Sequence, residues 1–330
     1  MKKHLFFSFV LFLVFFSGCK SPNYSGLYYV TFGPNPVYTM DIDHVVDGTY
    51  ASFVLKGWGI EISGEGSIVD KTMTMTGSVP NFGTVTISAA FSEEKQSFSG
   101  TWFFDGAPIN GTITGTKNNW TVFDVDKDPL PFLGTGNCIE LDKIKALSKF
   151  RSGEGHDYSD DFEGCRSMKH YYLPKDSVDM SSVKVFAPAS GKVIGTVDEY
   201  ENNGLLWKGT AIGIQPDGYD AFCFVLYHVN LNVSLEVGDR VMAGQELGKS
   251  EKKTGTVMDI ALWVHTSAGH KLLSYFEVMS DGIFQLYVNR GMISRNDVII
   301  TKEERDADPL DCIGEQFVGP GHLENWFFLE

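Results

Sequence analysis

His156 and Asp160, in the run Gly155-His156-Asp157-Tyr158-Ser159-Asp160, offer an imidazole nitrogen and a carboxylate spaced to serve one metal ion. These are ligand types of a catalytic zinc, which takes three protein ligands and keeps a fourth position for water or substrate. Two ligands make an incomplete site, and a histidine among acidic residues is more often part of a solvated loop, so the rest of the chain has to supply the third partner.

That context lies in residues 183 to 265. Val185-Phe186-Ala187-Pro188-Ala189-Ser190-Gly191-Lys192-Val193 and Val237-Gly238-Asp239-Arg240-Val241-Met242-Ala243-Gly244-Gln245-Glu246-Leu247-Gly248 read as short strands broken by tight turns. Gly191, Gly238 and Gly244 sit where a turn wants positive φ, and Pro188 suits a strand edge. Between them, Ala221-Phe222-Cys223-Phe224-Val225-Leu226-Tyr227-His228 is almost wholly apolar. Such a run predicts a strand buried on both faces that ends on a placed histidine.

With these residues in view, roughly residues 150 to 270, less than half of the chain, resemble the LytM-like metallopeptidases, the M23 family of cell-wall endopeptidases built on a duplicated hybrid β fold. The resemblance implies that His156 and Asp160 are zinc ligands and that His228, in Tyr227-His228, is catalytic. The family's last strand carries His-x-His, whose first histidine is catalytic and whose second is the third zinc ligand. The matching strand here is Met258-Asp259-Ile260-Ala261-Leu262-Trp263-Val264. Laying Ile260, Leu262 and Val264 on the buried face puts Asp259 and Ala261 where those histidines belong.

Ala261 has no lone pair. His265 shares its face but lies about 13 Å further along the strand, too far for the same ion. Asp259, about 7 Å before Ala261 on that face, is the better substitute and would either bind a shifted ion or orient His228. The oxygen-rich set of His156, Asp160 and Asp259 admits manganese, iron or calcium beside Zn2+. Three functions stay open. One is a metalloendopeptidase acting on peptidoglycan cross-links or peptides, with the metal activating water and His228, backed by Asp259, serving the oxyanion or proton. The second is an inactive LytM-like protein that binds peptidoglycan or regulates a cell-wall hydrolase, and the third is a structural surface lipoprotein.

The N-terminus places this chemistry. Met1-Lys2-Lys3-His4 is basic, and Leu5 to Phe16 is an apolar stretch of twelve residues, shorter than the ~20 that span a bilayer as a helix. It reads as a signal peptide over residues 1–18, and Phe16-Ser17-Gly18-Cys19 resembles a bacterial lipobox, with Phe16 in place of the preferred aliphatic residue. Lipidated Cys19 would anchor the protein in the bacterial cell envelope, facing the periplasm or the surface. Losing Lys2 and Lys3 takes the formal charge from −15 to −17, which disfavours nucleic acid as a partner. Of Cys138, Cys165, Cys223 and Cys312, Cys223 reads as a buried thiol inside its apolar strand, and a Cys165–Cys312 pair would pin the C-terminal tail beside the site.

The chain around the site reads as mainly β. Residues 19–120 form an all-β domain: Thr72-Met73-Thr74-Met75-Thr76, Thr84 to Ala89, Ser97 to Phe103 and Gly111 to Gly115 alternate polar and apolar residues, as in an antiparallel barrel or sandwich, loosely lipocalin-like. Trp58, Trp102 and Phe103 read as core before they read as a ligand cavity. Residues 121–137 form a linker, whose Asp124, Asp126 and Asp128 lack the glycine and glutamate of a calcium loop. Residues 138–330 make the second β domain with a helical C-terminal extension. Asn137-Cys138-Ile139-Glu140 predicts a capping box opening a helix through Phe150 that leads to His156. Ser274 to Arg290 predicts a helix ended by Gly291, and Thr301-Lys302-Glu303-Glu304 a shorter one. His170 and Tyr171 rival the site residues for its rim, with a structural role favoured. The aromatic end, Trp326 to Leu329, is too apolar to stay in water.

Overall fold

The computed structural model describes residues 23–330 apart from 34, 46–47, 58–59, 80–82, 106–108, 118–120, 202–205, 233, 252–257 and 320. Residues 1–18, which the sequence reads as a signal peptide, and Cys19 and Trp58 lie outside the described residues.

Alternation decides the first domain. Strand β5 (Thr72–Val79) buries Met73 and Met75 and exposes the threonines between them; β6 (Gly83–Phe91) does the same with Val85, Ile87 and Ala89. Together with β1 (Gly26–Phe32), β2 (Asn35–His44), β3 (Tyr50–Gly57), β4 (Ile60–Val69), β7 (Ser97–Phe104) and β8 (Ile109–Thr116), these strands pair in chain order, each antiparallel to the next. β1 then pairs with β8, with Tyr29 opposite Thr116, so the sheet closes into an eight-stranded antiparallel barrel. Closure leaves no edge strand open to water. Tyr28, Met40, Phe53, Met75, Ile87 and Phe98 fill the interior. Trp102 is buried and stacks on Phe32 at 4.6 Å, a core role, whereas Phe103 points outward and is 47% exposed.

The second domain is built differently. Its strands are β9 (Ile144–Ser148), β10 (His170–Pro174), β11 (Lys184–Phe186), β12 (Gly191–Glu201), β13 (Leu206–Pro216), β14 (Phe222–Leu231), β15 (Arg240–Val241), β16 (Glu246–Ser250), β17 (Asp259–Thr266) and β18 (Gly269–Leu273). Through its centre run β12, β13, β14 and β17, antiparallel neighbours in that order. From Phe222 to Val229 every residue of β14 is buried, as its apolar run predicts. One face, with Phe224, Leu226, Ile260, Leu262 and Val264, joins the large core; the other, with Cys223, Val225, Tyr227, Ala261 and Trp263, forms a smaller cluster. A bridge between Val197 of β12 and Gly111 of β8 joins the two domains.

The helix predicted from Asn137 to Phe150 does not form. A single 3-10 turn, Leu141–Lys143, gives way to strand β9, which is held between β10 and the C-terminal β21 (Trp326–Phe328). Leu147 and Ala146 are buried on opposite sides of this strand, so sheet pairing on both edges outweighs the helical spacing of the apolar residues. The other helical signals hold in shortened form. Ser274 caps a 3-10 turn with a complete capping box, α1 (Asp281–Val288) follows, and Gly291 ends the segment at φ 91°. Thr301 and Glu304 box the start of α2 (Lys302–Ala307). Gly238 and Gly244 take positive φ, whereas Gly191 does not: a Cβ there would meet the Gln215 carbonyl oxygen at 2.2 Å, so close strand approach is what requires glycine. A short hairpin of β19 (Cys312–Ile313) and β20 (Gln316–Phe317) is tied to the loop before β10 by a Cys165–Cys312 disulfide, while Cys138 and Cys223 are buried thiols.

Candidate functional site

Antiparallel pairing of β10, β14 and β17 builds the site. Asp259 opens β17 opposite both Tyr227 of β14 and Tyr171 of β10. Because strand side chains alternate, Asp259 shares a face with Ala261 and Trp263, away from the large core. Lys169, one residue before β10, extends onto that face, and His228 follows Tyr227 there by a local distortion. His228 is a non-glycine residue at φ 59°, and the β13–β14 register slips beside it between Thr210 and Ile212.

The centre of the cluster is the ammonium of Lys169. Its Nζ lies 2.6 Å from Asp259 Oδ2, with the two side chains 3% and 0% exposed. It also lies 3.4 Å from His156 Nε2 and 4.4 to 5.2 Å from the ring centroids of Tyr158, Tyr227 and Tyr171. These rings present their negative faces to the charge. Burial works against the ammonium, but the Asp259 carboxylate outweighs it and holds Lys169 above the ordinary lysine value. Asp259 Oδ1 faces His228 Nε2 at 3.6 Å. On the far side, His228 Nδ1 is 3.1 Å from Glu199 Oε2, out of line for a hydrogen bond, while the His228 backbone N–H donates to that same oxygen at 2.8 Å. Burial pushes the His228 imidazole down, yet the Glu199 and Asp259 carboxylates prevail and raise it. Behind the cluster, Trp263 Nε1 donates to the Tyr158 hydroxyl, which is 2.6 Å from that of Tyr227.

Of the residues singled out from the sequence, His156, His228 and Asp259 converge on this cluster and Asp160 does not. Asp160 Oδ1 accepts from the backbone N–H groups of Phe162 and Glu163, and Oδ2 accepts from that of Leu272. Its carboxylate shapes a turn and ties the loop to β18, and burial raises its pKa. His156 Nδ1 donates to the Asp157 carbonyl at 2.8 Å, which leaves Nε2 as the acceptor, and that lone pair faces the Lys169 ammonium. Burial, then the ammonium, pushes the His156 pKa down.

A zinc ion does not fit this donor set. The His156 lone pair and one Asp259 oxygen already face an internal cation, Asp160 is committed to amides, and Ala261 is a buried methyl group. Among the described residues no group of three or more His, Cys, Asp or Glu side chains is arranged to hold a metal ion. Manganese, iron and calcium meet the same obstacle, since they too need free nitrogen or oxygen donors that these residues have already committed.

His170 is structural. It is buried between the Ser148 carbonyl and the Ser274 hydroxyl, both at 2.8 Å, and burial lowers its pKa to about 4. Tyr171 does reach the cluster, as a wall beside Lys169. Lys169, Tyr158 and Glu199 carry the geometry without having been singled out from the sequence. The available signal was Lys169 itself, a single cation in Met168-Lys169-His170-Tyr171-Tyr172, where a strand with apolar neighbours leaves a charge no exit to water.

No family model matches the sequence, and no curated protein matches it. Solved structures similar to the chain include the following two. Csd3 of Helicobacter pylori, from a hexagonal crystal, matches at 12% identity with a TM-score of 0.27, covering 77% of this chain and 54% of that one. A zinc-containing peptidase from Vibrio cholerae matches at 9% identity with a TM-score of 0.31, covering 74% of this chain and 86% of that one. The chain thus spans about half the length of the first. TM-scores this low carry no functional weight.

Proposed function

We propose that this chain is an envelope lipoprotein, anchored through Cys19, whose LytM/M23-like domain binds peptidoglycan or its peptides and regulates a cell-wall hydrolase partner rather than cutting the wall itself. The observation that carries this reading is the Lys169 ammonium, 2.6 Å from Asp259 and 3.4 Å from His156 Nε2. Of the positions that the resemblance assigns to metal chemistry, His156 faces a cation that belongs to the chain, Asp160 is committed to three backbone amides and Ala261 offers no donor, and an ammonium cannot activate water as a metal does. The Cys165–Cys312 pair supports an oxidising compartment, which suits an exported protein. The acidic charge, −15 over the whole chain, supports a partner other than nucleic acid.

The test uses the purified mature protein and isolated sacculi. Co-sedimentation without release of peptide fragments, by protein that holds no stoichiometric metal, is the expected result. Fragment release that disappears in His228→Ala, or a bound metal lost in His156→Ala, would restore the metalloendopeptidase reading. Absence of both sedimentation and release would leave a structural surface lipoprotein.

A further inference from the structure

We propose that Lys169 and Asp259 are the two halves of an intramolecular amide cross-link, formed between Lys169 Nζ and Asp259 Cγ, that ties the start of β10 to the start of β17. The proposal concerns the same pair that carries the reading above without resting on that reading: as ion pair or as amide, Lys169 and Asp259 engage each other, and a full-mass protein would overturn the cross-link alone.

Two observations point to it. The reacting groups are held together and dry: Nζ is 2.6 Å from Oδ2, the side chains are 3% and 0% exposed, and Tyr158, Tyr171 and Tyr227 surround the amine. Proximity of this kind replaces a bimolecular encounter with an internal one. In addition, the carboxylate is poorly served as an ion. Neither Asp259 oxygen accepts a hydrogen bond from a backbone amide or a neutral side chain among the described residues, in contrast to Asp160, which accepts three. A buried ion pair without such support is costly to maintain, and condensation to a neutral amide removes both charges at once.

The step balances within the pair. The Nζ lone pair forms a bond to Cγ, the Cγ–Oδ2 bond breaks, and two of the three ammonium protons leave with Oδ2 as one water molecule. The third proton stays as the amide N–H. No oxidant, reductant or co-reactant is consumed. The contact between Nζ and Oδ2 is the path along which the first proton moves, and it yields the neutral amine and acid that react. His228 Nε2, 3.6 Å from Oδ1 and backed by Glu199, faces the oxygen that carries negative charge at the tetrahedral stage.

Intact mass of the purified full chain, after reduction of the disulfide, is the first measurement. The expected result is a species lighter than its sequence by the mass of one water. Tryptic digestion should then give a branched peptide that joins the segment containing Lys169 to the one containing Asp259, with no cleavage after Lys169. Lys169→Arg keeps a cation beside Asp259 but cannot condense in this way, so it should return the full mass and lose the branched peptide. A wild-type protein of full mass that trypsin cleaves after Lys169 overturns the proposal. So does a loss of water that maps to a succinimide at Asp281-Gly282 without the branched peptide.

Discussion

The barrel and the second domain solve burial in opposite ways. Each barrel strand has one wet face, so the interior needs only a single set of apolar side chains, and β5 and β6 supply it by strict alternation. The central strands of the second domain are covered on both sides, and β14 and β17 are buried along nearly their whole length. A sheet with two covered faces can devote one of them to something other than hydrocarbon. Here the second face begins as an apolar patch of Cys223, Val225, Ala261 and Trp263 and ends in Lys169, Asp259 and His228. Before any condensation, charge is tolerated there because the groups compensate one another within the protein, whereas the described barrel interior holds no buried Lys, Arg, Asp or Glu.

That contrast is broken most severely at Lys169. Lys169→Ala leaves the buried Asp259 carboxyl, at 0% exposure, without its ammonium partner, and denaturant unfolding should show a loss of about 3–5 kcal/mol. Removing both charges together, as Lys169→Met with Asp259→Leu, should recover most of that loss; a double variant as unstable as the single one would mean that packing, not charge balance, holds the cluster. In the barrel the corresponding lesion is a cavity. Ile87→Ala should cost about 2–5 kcal/mol, and Ser88→Ala on the wet face within about 0.5 kcal/mol of nothing, both read as shifts in the denaturation midpoint.

Acidification should separate the domains more gently. His170 is buried neutral, with its pKa lowered to about 4, so the folded state binds fewer protons than the unfolded state between that value and the ordinary histidine value of about 6.5. Its contribution is present at neutral pH and fades as pH falls through that window, by about 2 kcal/mol between pH 7 and pH 5. Unfolding free energies at the two pH values should show this slope in the wild type and a shallower one in His170→Gln. The smallest expected effect is at a surface cap: Thr301→Ala should cost about 1 kcal/mol by freeing the Glu304 amide, visible as a slightly lower melting temperature.

The same contrast governs what could be read from residues alone. In the barrel a period of two is unambiguous, and the strands at Thr72, Thr84, Ser97 and Gly111 form where the alternation places them. In the second domain, burial on both sides erases the period. Leu141, Ile144 and Leu147 fit a helical stripe as well as they fit a strand, and only the distant partners Tyr172 and Phe327 decide for the strand. The site divides along similar lines. Asp259 opens β17 and His228 lies three residues before the end of β14, where a backbone distortion turns it onto the same face, and the two meet at 3.6 Å. Asp160 lies apart from the cluster because its loop carboxylate accepts from three amides, which belong to residues near in sequence and far from it alike. The linker was legible only as composition, since Leu133 and Gly134 dock on the Val278 carbonyl instead of spanning open solvent.

His228 does not keep its unusual backbone alone. Across the ladder Gly209 stands at φ 111°, and a Cβ added there would come within 2.7 Å of the His228 carbonyl carbon and 2.9 Å of its Cα. The two positions therefore form a single heritable unit. A lineage that acquired a side chain at 209 would have to shift the backbone that sets the His228 ring between Glu199 and Asp259, without ever touching the codon for 228.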